Sequence, residues 1–346
     1  MAVVFDPGLM PGARPRVSVC IANFQGEALL PDCIDSVLAQ GVDDVEILVH
    51  DDASTDASLA LLAARYPQAR VIASAENVGF CVANNRMAEA ATGDSLLLLN
   101  NDAALEADAL RALLAEAARL GGDAVLSLPQ HDWDTGALVD RGCLLDPFCN
   151  PVPNLDPRRA DVAYAIGACL WIPRRLWHEL GGFPAWFGSL AEDMLLCSAA
   201  RLRGVPVRCV DGSAYRHRQG ASFGGNRAQD GLRTTYRRRA LSERNKTWVL
   251  LACTPGPVVW PLLALHLFAL YAEGAIVSLA RRDARLWREV YRPVLPSLFA
   301  RGAQWRSLRR DLQSHRRIGQ WQWWRGFTWM PRKLAMLWRH GLPELR

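Results

Sequence analysis

No two of the nine cysteines (20, 33, 81, 143, 149, 169, 197, 209 and 253) form a C-x-x-C pair, and no Cys/His set has zinc-ligand spacing. Their odd number and scatter exclude a small disulfide-stapled scaffold and favour reduced thiols used as small buried hydrophobes. No internal repeat is visible. The segment MAVVFDPGLMPGARPR lacks a basic stretch followed by an apolar run, so a secretory signal is not expected and the first domain is expected in the cytosol. Aromatic residues make up only 8% and charged residues 22% of the 346, yet half are hydrophobic. Such a chain is not disordered. It has material for at least one large core, as one domain with an appendage or as two domains.

The charge that is present is unevenly divided. Residues 1–200 carry 12 Lys/Arg against 27 Asp/Glu, whereas residues 201–346 carry 28 against 8 and hold nine of the 13 tryptophans. This points to an acidic catalytic or ligand-binding part followed by a basic part that meets phosphates, a membrane surface or nucleic acid.

After a Pro/Gly-rich tail to about Arg16, VSVCIANF has the β-branched apolar run of a buried strand. A helix over 30–40 places Cys33, Ile34, Val37 and Leu38 on one face, and Gly41 stops it. VEILVHDD is a second strand ending in carboxylates, STDASLALLAARY a capped amphipathic helix, and VIASAENVGF a third strand running into a turn. A helix over 82–92 and the strand DSLLLLNND continue the alternation, which predicts a doubly wound, mostly parallel sheet. In such sheets ligands bind at the carboxyl ends of the strands, where Asp51, Asp52, Asn100, Asn101 and Asp102 lie. A helix over 105–120 and a strand over 124–129 follow. The pattern then weakens from 130 to 160, where DPFCNPVPNLDP reads as a loop. AYAIGACLWIPRRLWHELGGF is a strand and a helix, AEDMLLCSAARLRG a helix with an acidic first turn, and VPVRCV a strand.

Beyond about residue 228 the chain changes kind. Thr247–Ala272 contains no Lys, Arg, Asp or Glu, approaching the roughly 20 apolar residues of a spanning helix. Pro255, Gly256, Pro257, Pro261 and His266 interrupt it, and the Pro-free stretch Leu262–Ala280 includes Glu273, so an in-plane or re-entrant helix is expected ahead of a spanning one, which stays open. Trp305, Leu308 and Leu312 then form a stripe among Arg306, Arg309, Arg310, Arg316 and Arg317, and WQWWRGFTW comes last. This region reads as a helical extension, a nucleic-acid binder or a membrane-surface element. The apolar run favours the membrane.

Two acidic clusters draw attention in the first part: Asp51-Asp52, with Asp56 after them, and the NND at 100–102. Acidic strand ends hold hard divalent cations with their bound phosphates, although each cluster alone also reads as a turn former or cap. The pair Glu192-Asp193 opens a helix, where complementing the helix dipole is its commoner use.

Four blocks in order, VSVCIANFQGEALLPDCIDSVLAQ, EILVHDDASTDAS, NVGFCVANNRMAEAATGDSLLLLNNDA and GACLWIPRRLWHELGGFPAWFGSLAEDMLLCSAARLRG, resemble family-2 glycosyltransferases of the GT-A fold. They are most similar to the bacterial rhamnosyltransferase-like branch, over about residues 16–220. The resemblance implies a tail over 1–16, a nucleotide-sugar glycosyltransferase domain over 17–228, and a basic, Trp-rich helical region over 229–346 that associates with the membrane.

It also implies roles for individual residues. Asp51 meets the nucleotide base, with Asp52 and the main chain at Ala22 and Asn23 beside it. Asn77, Gly79 and Asn84 lie near the diphosphate and sugar. The family's D-x-D metal motif becomes Asn100-Asn101-Asp102, so Asp102 is the principal ligand of Mg²⁺ or Mn²⁺, and His217 matches a histidine that completes the site in relatives. Asp193 falls on the catalytic base, with Glu192 beside it to raise its pKa or position it. A surface role is the other reading of His217, flanked by Arg216 and Arg218.

The implied reaction is inverting transfer of a hexose or deoxyhexose, rhamnose among them, from a UDP- or dTDP-linked donor. The implied acceptor is a polyprenyl-diphosphate-linked glycan at the cytoplasmic face of the inner membrane, met by a peripheral or re-entrant protein on anionic lipid in cell-surface polysaccharide synthesis. No nucleic-acid partner is expected. A transferase acting on a soluble acceptor and a non-catalytic nucleotide- or RNA-binding protein are the rival readings.

Overall fold

The computed structural model describes residues 3–5, 16–220, 233–340 and 344–345. The boundary expected at 228/229 lies outside the described residues. The first half alternates strands β1 (Val3–Phe5), β2 (Val17–Asn23), β3 (Val45–Asp51), β4 (Arg70–Ala73) and β5 (Ser95–Asn100) with helices α1 (Leu30–Leu38), α2 (Ser58–Arg65) and α3 (Phe80–Ala90). Then come β6 (Ala103–Leu105), α4 (Ala109–Arg119), β7 (Val125–Ser127), β8 (Gln130–Asp132), β9 (Leu138–Asp140), β10 (Cys143–Leu145) and β11 (Pro151–Pro153). β12 (Cys169–Pro173), α5 (Arg174–Leu180), α6 (Glu192–Leu202), β13 (Val207–Cys209) and β14 (Tyr215–His217) complete this part.

The main sheet has the order β1-β4-β3-β2-β5-β12-β7-β13. β2 to β5 are mutually parallel, as are β7 and β13, while β12 runs antiparallel between β5 and β7. The sheet is therefore mostly parallel, as expected, with a reversed strand near its middle. Val17, Val19 and Ile21 of β2 pack on one face with α1 and α4, and Cys20 packs on the other with Cys81 and Met87 of α3. This two-sided burial explains the unbroken apolar runs of β2 and β5.

Several expectations need correction. The tail is not wholly irregular, because Val3–Phe5 adds an antiparallel edge strand to β4. Leu38 is exposed and Leu30 joins Cys33, Ile34 and Val37 on the buried face of α1, which begins at residue 30 as expected and ends at Leu38. Within the proline-rich segment expected as a loop, Pro151–Pro153 pairs with Cys143–Leu145, an edge position where proline's missing N–H does no harm. A second sheet, β6-β14-β8-β9, contains His217 as a strand residue.

The remaining elements are a 3-10 turn (Ala185–Phe187), a π-helical turn (Trp287–Tyr291), the two-residue pair β15 (Arg233–Thr234) and β16 (Glu344–Leu345), and helices α7 (Tyr236–Cys253), α8 (Val259–Arg281), α9 (Ala284–Leu286), α10 (Val294–Ala300), α11 (Gly302–Ser314), α12 (Gln320–Trp324) and α13 (Arg332–His340). The uncharged run 247–272 is broken at Thr254–Pro257, and its first part is core: Trp248 to Cys253 are buried with α3, α5 and α6. Trp305, Leu308 and Leu312 also turn inward, onto the same core. Arg309, one of the arginines flanking that stripe, donates to the carbonyls of Leu251 (2.7 Å) and Thr254 (2.8 Å) and so caps the end of α7. Only α8 keeps the composition and length of a membrane segment among the described residues. It buries His266, Leu270, Gly274 and Val277 on one face and exposes Leu265, Phe268, Ile276 and Leu279 on the other.

Candidate active site

The carboxyl ends of β2, β3 and β5 converge through side chains. In the register of β2, Asn23 lies opposite Asp51 and Ala22 opposite Asn100. Asn23 Nδ2 donates to Asp51 Oδ2 (2.9 Å), and Asn101 Nδ2 donates to Asn23 Oδ1 (2.9 Å). Gly26 is needed beside them, since a Cβ there would come within 2.0 Å of Asn23 Oδ1. Asp51 is fully buried and its other oxygen accepts the Ser54 N–H (3.0 Å). These two bonds hold residues 23 and 54 in place at the strand end. Asp52 acts similarly, its two oxygens accepting the N–H groups of Val78 (2.7 Å) and Gly79 (2.9 Å). Gly79, at φ +83°, makes the turn into α3 in a region closed to most side chains. Asn77 is exposed in that turn, and the Asn84 side chain bonds back to the Phe80 carbonyl of its own helix (2.9 Å).

The second sheet supplies the next group. Ala103 pairs with His217, so the preceding Asp102 meets the imidazole: His217 Nε2 lies 3.0 Å from Asp102 Oδ1. Both are largely buried, which sets aside the surface reading of His217. The opposite ring nitrogen faces Gln130 Oε1 (3.4 Å), which also accepts the Tyr215 hydroxyl (2.7 Å). A carboxylate oxygen and an imidazole nitrogen this close are joined either by a proton or by a shared cation. Among the described residues no three His, Cys, Asp or Glu side chains come together to hold a metal. Two protein donors fit an Mg²⁺ or Mn²⁺ ion that takes its remaining oxygens from a diphosphate and water, and do not fit an all-protein cage.

Glu192 and Asp193 open α6. Asp193 Oδ2 accepts the Gly167 N–H (2.9 Å) and Oδ1 that of Met194 (2.7 Å). The adjoining Ala168 carbonyl accepts the Asn100 N–H (3.0 Å), so two consecutive residues tie Asp193 to the strand end that leads into Asp102. Burial raises the pKa of Asp193 above the ordinary carboxylate range against the opposing effect of those N–H donors. Burial, then the neighbouring Asp193 charge, pushes Glu192 up as well, with the Arg238 guanidinium pulling it back. Among the described residues, Glu192 Oε2 is buried with no hydrogen-bond partner. A carboxylate with a raised pKa beside strand-end polar groups is suited to accept a proton near neutral pH. Gln130, Gly167 and Arg238 escaped the sequence reading; their partners lie 26 to 87 residues away, and no local pattern marks them.

Residues 18–180 match the family model described as Glycosyl transferase family 2. The succinoglycan biosynthesis protein ExoO of Rhizobium meliloti is 35% identical over 108 residues, covering 31% of this chain and 31% of that protein. The chain spans less than half the length of the curated relatives it matches. Among solved structures, residues 1–349 of S. aureus TarS in complex with UDP-GlcNAc align over 90% of this chain and 92% of that one, at 16% identity and a TM-score of 0.54. GalNAc-T7 with UDP, GalNAc and Mn²⁺ aligns over 59% of this chain and 44% of that one, at 16% identity and a TM-score of 0.51.

Proposed function

Taking as premise that residues 18–180 form a glycosyltransferase family 2 domain, we propose that the protein transfers a hexose or deoxyhexose, rhamnose being one candidate, from a UDP- or dTDP-linked donor to a hydroxyl of a lipid-linked glycan. The observation that carries this reading is the Gly167–Ala168 link between Asp193 and the Asn100–Asp102 strand end. It links a carboxylate with a raised pKa to the strand end that carries the Asp102–His217 pair. Similarity to a succinoglycan biosynthesis protein and to structures holding UDP-GlcNAc or UDP and Mn²⁺ supports the donor class and a role in polysaccharide synthesis.

In this reading Asp193 accepts the proton of the acceptor hydroxyl as its oxygen bonds to the anomeric carbon. The bond from that carbon to the diphosphate oxygen breaks, and the nucleoside diphosphate leaves with the electron pair. One displacement inverts the configuration. Asp102 and His217 would hold a divalent cation, which supplies charge neutralisation to the diphosphate. Asp51 and Asp52 shape the donor side by fixing residues 23, 54, 78 and 79. Residues 17–228 thus serve the donor, and residues 229–346 present the exposed faces of α8 and the Trp-rich helices to an anionic membrane at its cytoplasmic side, in the plane or re-entrant.

The test is a donor panel of UDP-glucose, UDP-N-acetylglucosamine, UDP-galactose, dTDP-rhamnose and GDP-mannose, scored by hydrolysis with Mn²⁺ or Mg²⁺ and with chelator. One donor should be consumed in a metal-dependent way, and Asp102→Ala should weaken its metal-dependent binding at least tenfold, because Asn100 and Asn101 carry no charge to replace the carboxylate. Absence of hydrolysis across the panel, or equal donor affinity in wild type and variant with and without chelator, would refute the assignment.

A further inference from the structure

The loop that delivers Glu192 and Asp193 is strained. Leu190 (φ 72°) and Ala191 (φ 66°) are consecutive non-glycine residues in the left-handed region, preceded by Gly188 at φ 75°. Such residues cost roughly 1–2 kcal/mol each and persist only where the surroundings fix them. Here the fixing group comes from α7, far along the chain. The fully buried Asn245 aims its Nδ2 at three main-chain carbonyls of this loop: Phe187 (3.1 Å), Ser189 (2.9 Å) and Leu190 (2.7 Å). Arg244 adds a bond to the Phe187 carbonyl (3.1 Å), and its Nε donates to Asn245 Oδ1 (3.0 Å), orienting the amide. The remaining carbonyl, that of Gly188, accepts the Cys81 N–H at the start of α3 (3.2 Å). The successive carbonyls from Phe187 to Leu190 are therefore all held by donors outside the loop. Seven residues before Asn245, and so on the same face of α7, Arg238 acts electrostatically on Glu192.

We propose that Asn245 is a positioning residue for the acidic pair, so that α7 completes the active site as well as packing beneath it. This rests on the reading of Asp193 as the base. Only an NH₂ group suits this position, because three converging carbonyls need a donor and a carboxylate of the same shape would meet them with repulsion. Misplacing a reacting group by about 1 Å costs on the order of 10²-fold in rate.

The test compares Asn245→Asp, Asn245→Gln and Asp193→Asn in the full chain, using whichever donor of the panel above the wild type hydrolyses fastest. Asn245→Asp should fall ten- to a hundredfold in kcat with donor KM within about twofold. It should also show faster hydrogen exchange in the peptide covering residues 187–195. Asn245→Gln, which keeps the donor, should recover part of the kcat. Wild-type kcat in Asn245→Asp, with or without faster exchange, overturns the proposal, as does a rise in KM with kcat unchanged. If Asn245→Asp is slow and its loop exchanges faster while Asp193→Asn turns over normally, the base assignment falls and the clamp on the loop stands.

Discussion

Replacing Asp193 by Asn tests the chemistry most directly, and the structure sets the size of each effect. Both carboxylate oxygens accept a main-chain N–H, from Gly167 and from Met194. An Asn has one acceptor oxygen, so its NH₂ must oppose one of these donors, a mismatch of about 1–3 kcal/mol. That loss is offset in part, because a neutral amide escapes the desolvation that raises the Asp193 pKa. The variant should fold, and its donor affinity should stay within about threefold of wild type. Turnover should fall by about 10²- to 10⁴-fold, the usual contribution of a general base, equivalent to about 3–5 kcal/mol of barrier. The pH profile gives a second readout. Only the ionised carboxylate accepts a proton, and burial raises both members of the pair, so wild-type kcat should climb with pH along a limb above the ordinary carboxylate range. Donor hydrolysis at saturating donor and metal, followed from pH 5 to 9 for both proteins (a range of roughly four decades in proton activity that brackets neutrality), measures all of this. Turnover within about threefold of wild type, with the limb intact, would refute the assignment.

Two further outcomes follow from the helical region. Glu243 is buried between Lys246 (3.3 Å) and Lys333 (2.8 Å), and Lys333 also pairs with Glu273 (2.6 Å), so Glu243→Gln should cost about 3–5 kcal/mol chiefly by taking the carboxylate from the buried Lys246; urea denaturation reads this, and a loss under about 1 kcal/mol would contradict it. Burial works to raise the Glu243 pKa, but Lys246, Lys333 and Arg239 hold it below its ordinary 4.5; the stabilisation is therefore full above that value, fades as pH falls below it, and should be missing from the variant's acid-denaturation profile. The full chain should sediment with phosphatidylglycerol vesicles, more weakly but still measurably at high salt, and Phe268→Asp with Leu279→Asp should reduce binding more than about 100-fold, given about 1.5–3 kcal/mol per inserted side chain; wild type left in the supernatant at low salt would remove the membrane claim alone.

By itself the sequence determined the strand–helix alternation from β2 to β5, because period, caps and turn residues are local, and a strand buried on both faces announces itself as an apolar run. It also placed Asp51, Asp52 and Asn100–Asp102 at strand ends, which follows from where each run stops. What those side chains do was decided by tertiary structure. Asp51 turned inward to Asn23 and Ser54, Asp102 found His217 because β6 and β14 share a register, and Asp193 is tied to the strand end by Gly167 and Ala168. The uncharged run at 247–272 shows the limit most plainly. Composition cannot distinguish a helix buried in protein from one facing lipid, since both are apolar; only the packing of Trp248–Cys253 against α6, whose preceding loop Asn245 holds, makes the first part of that run core and leaves α8 as the apolar helix with an exposed face.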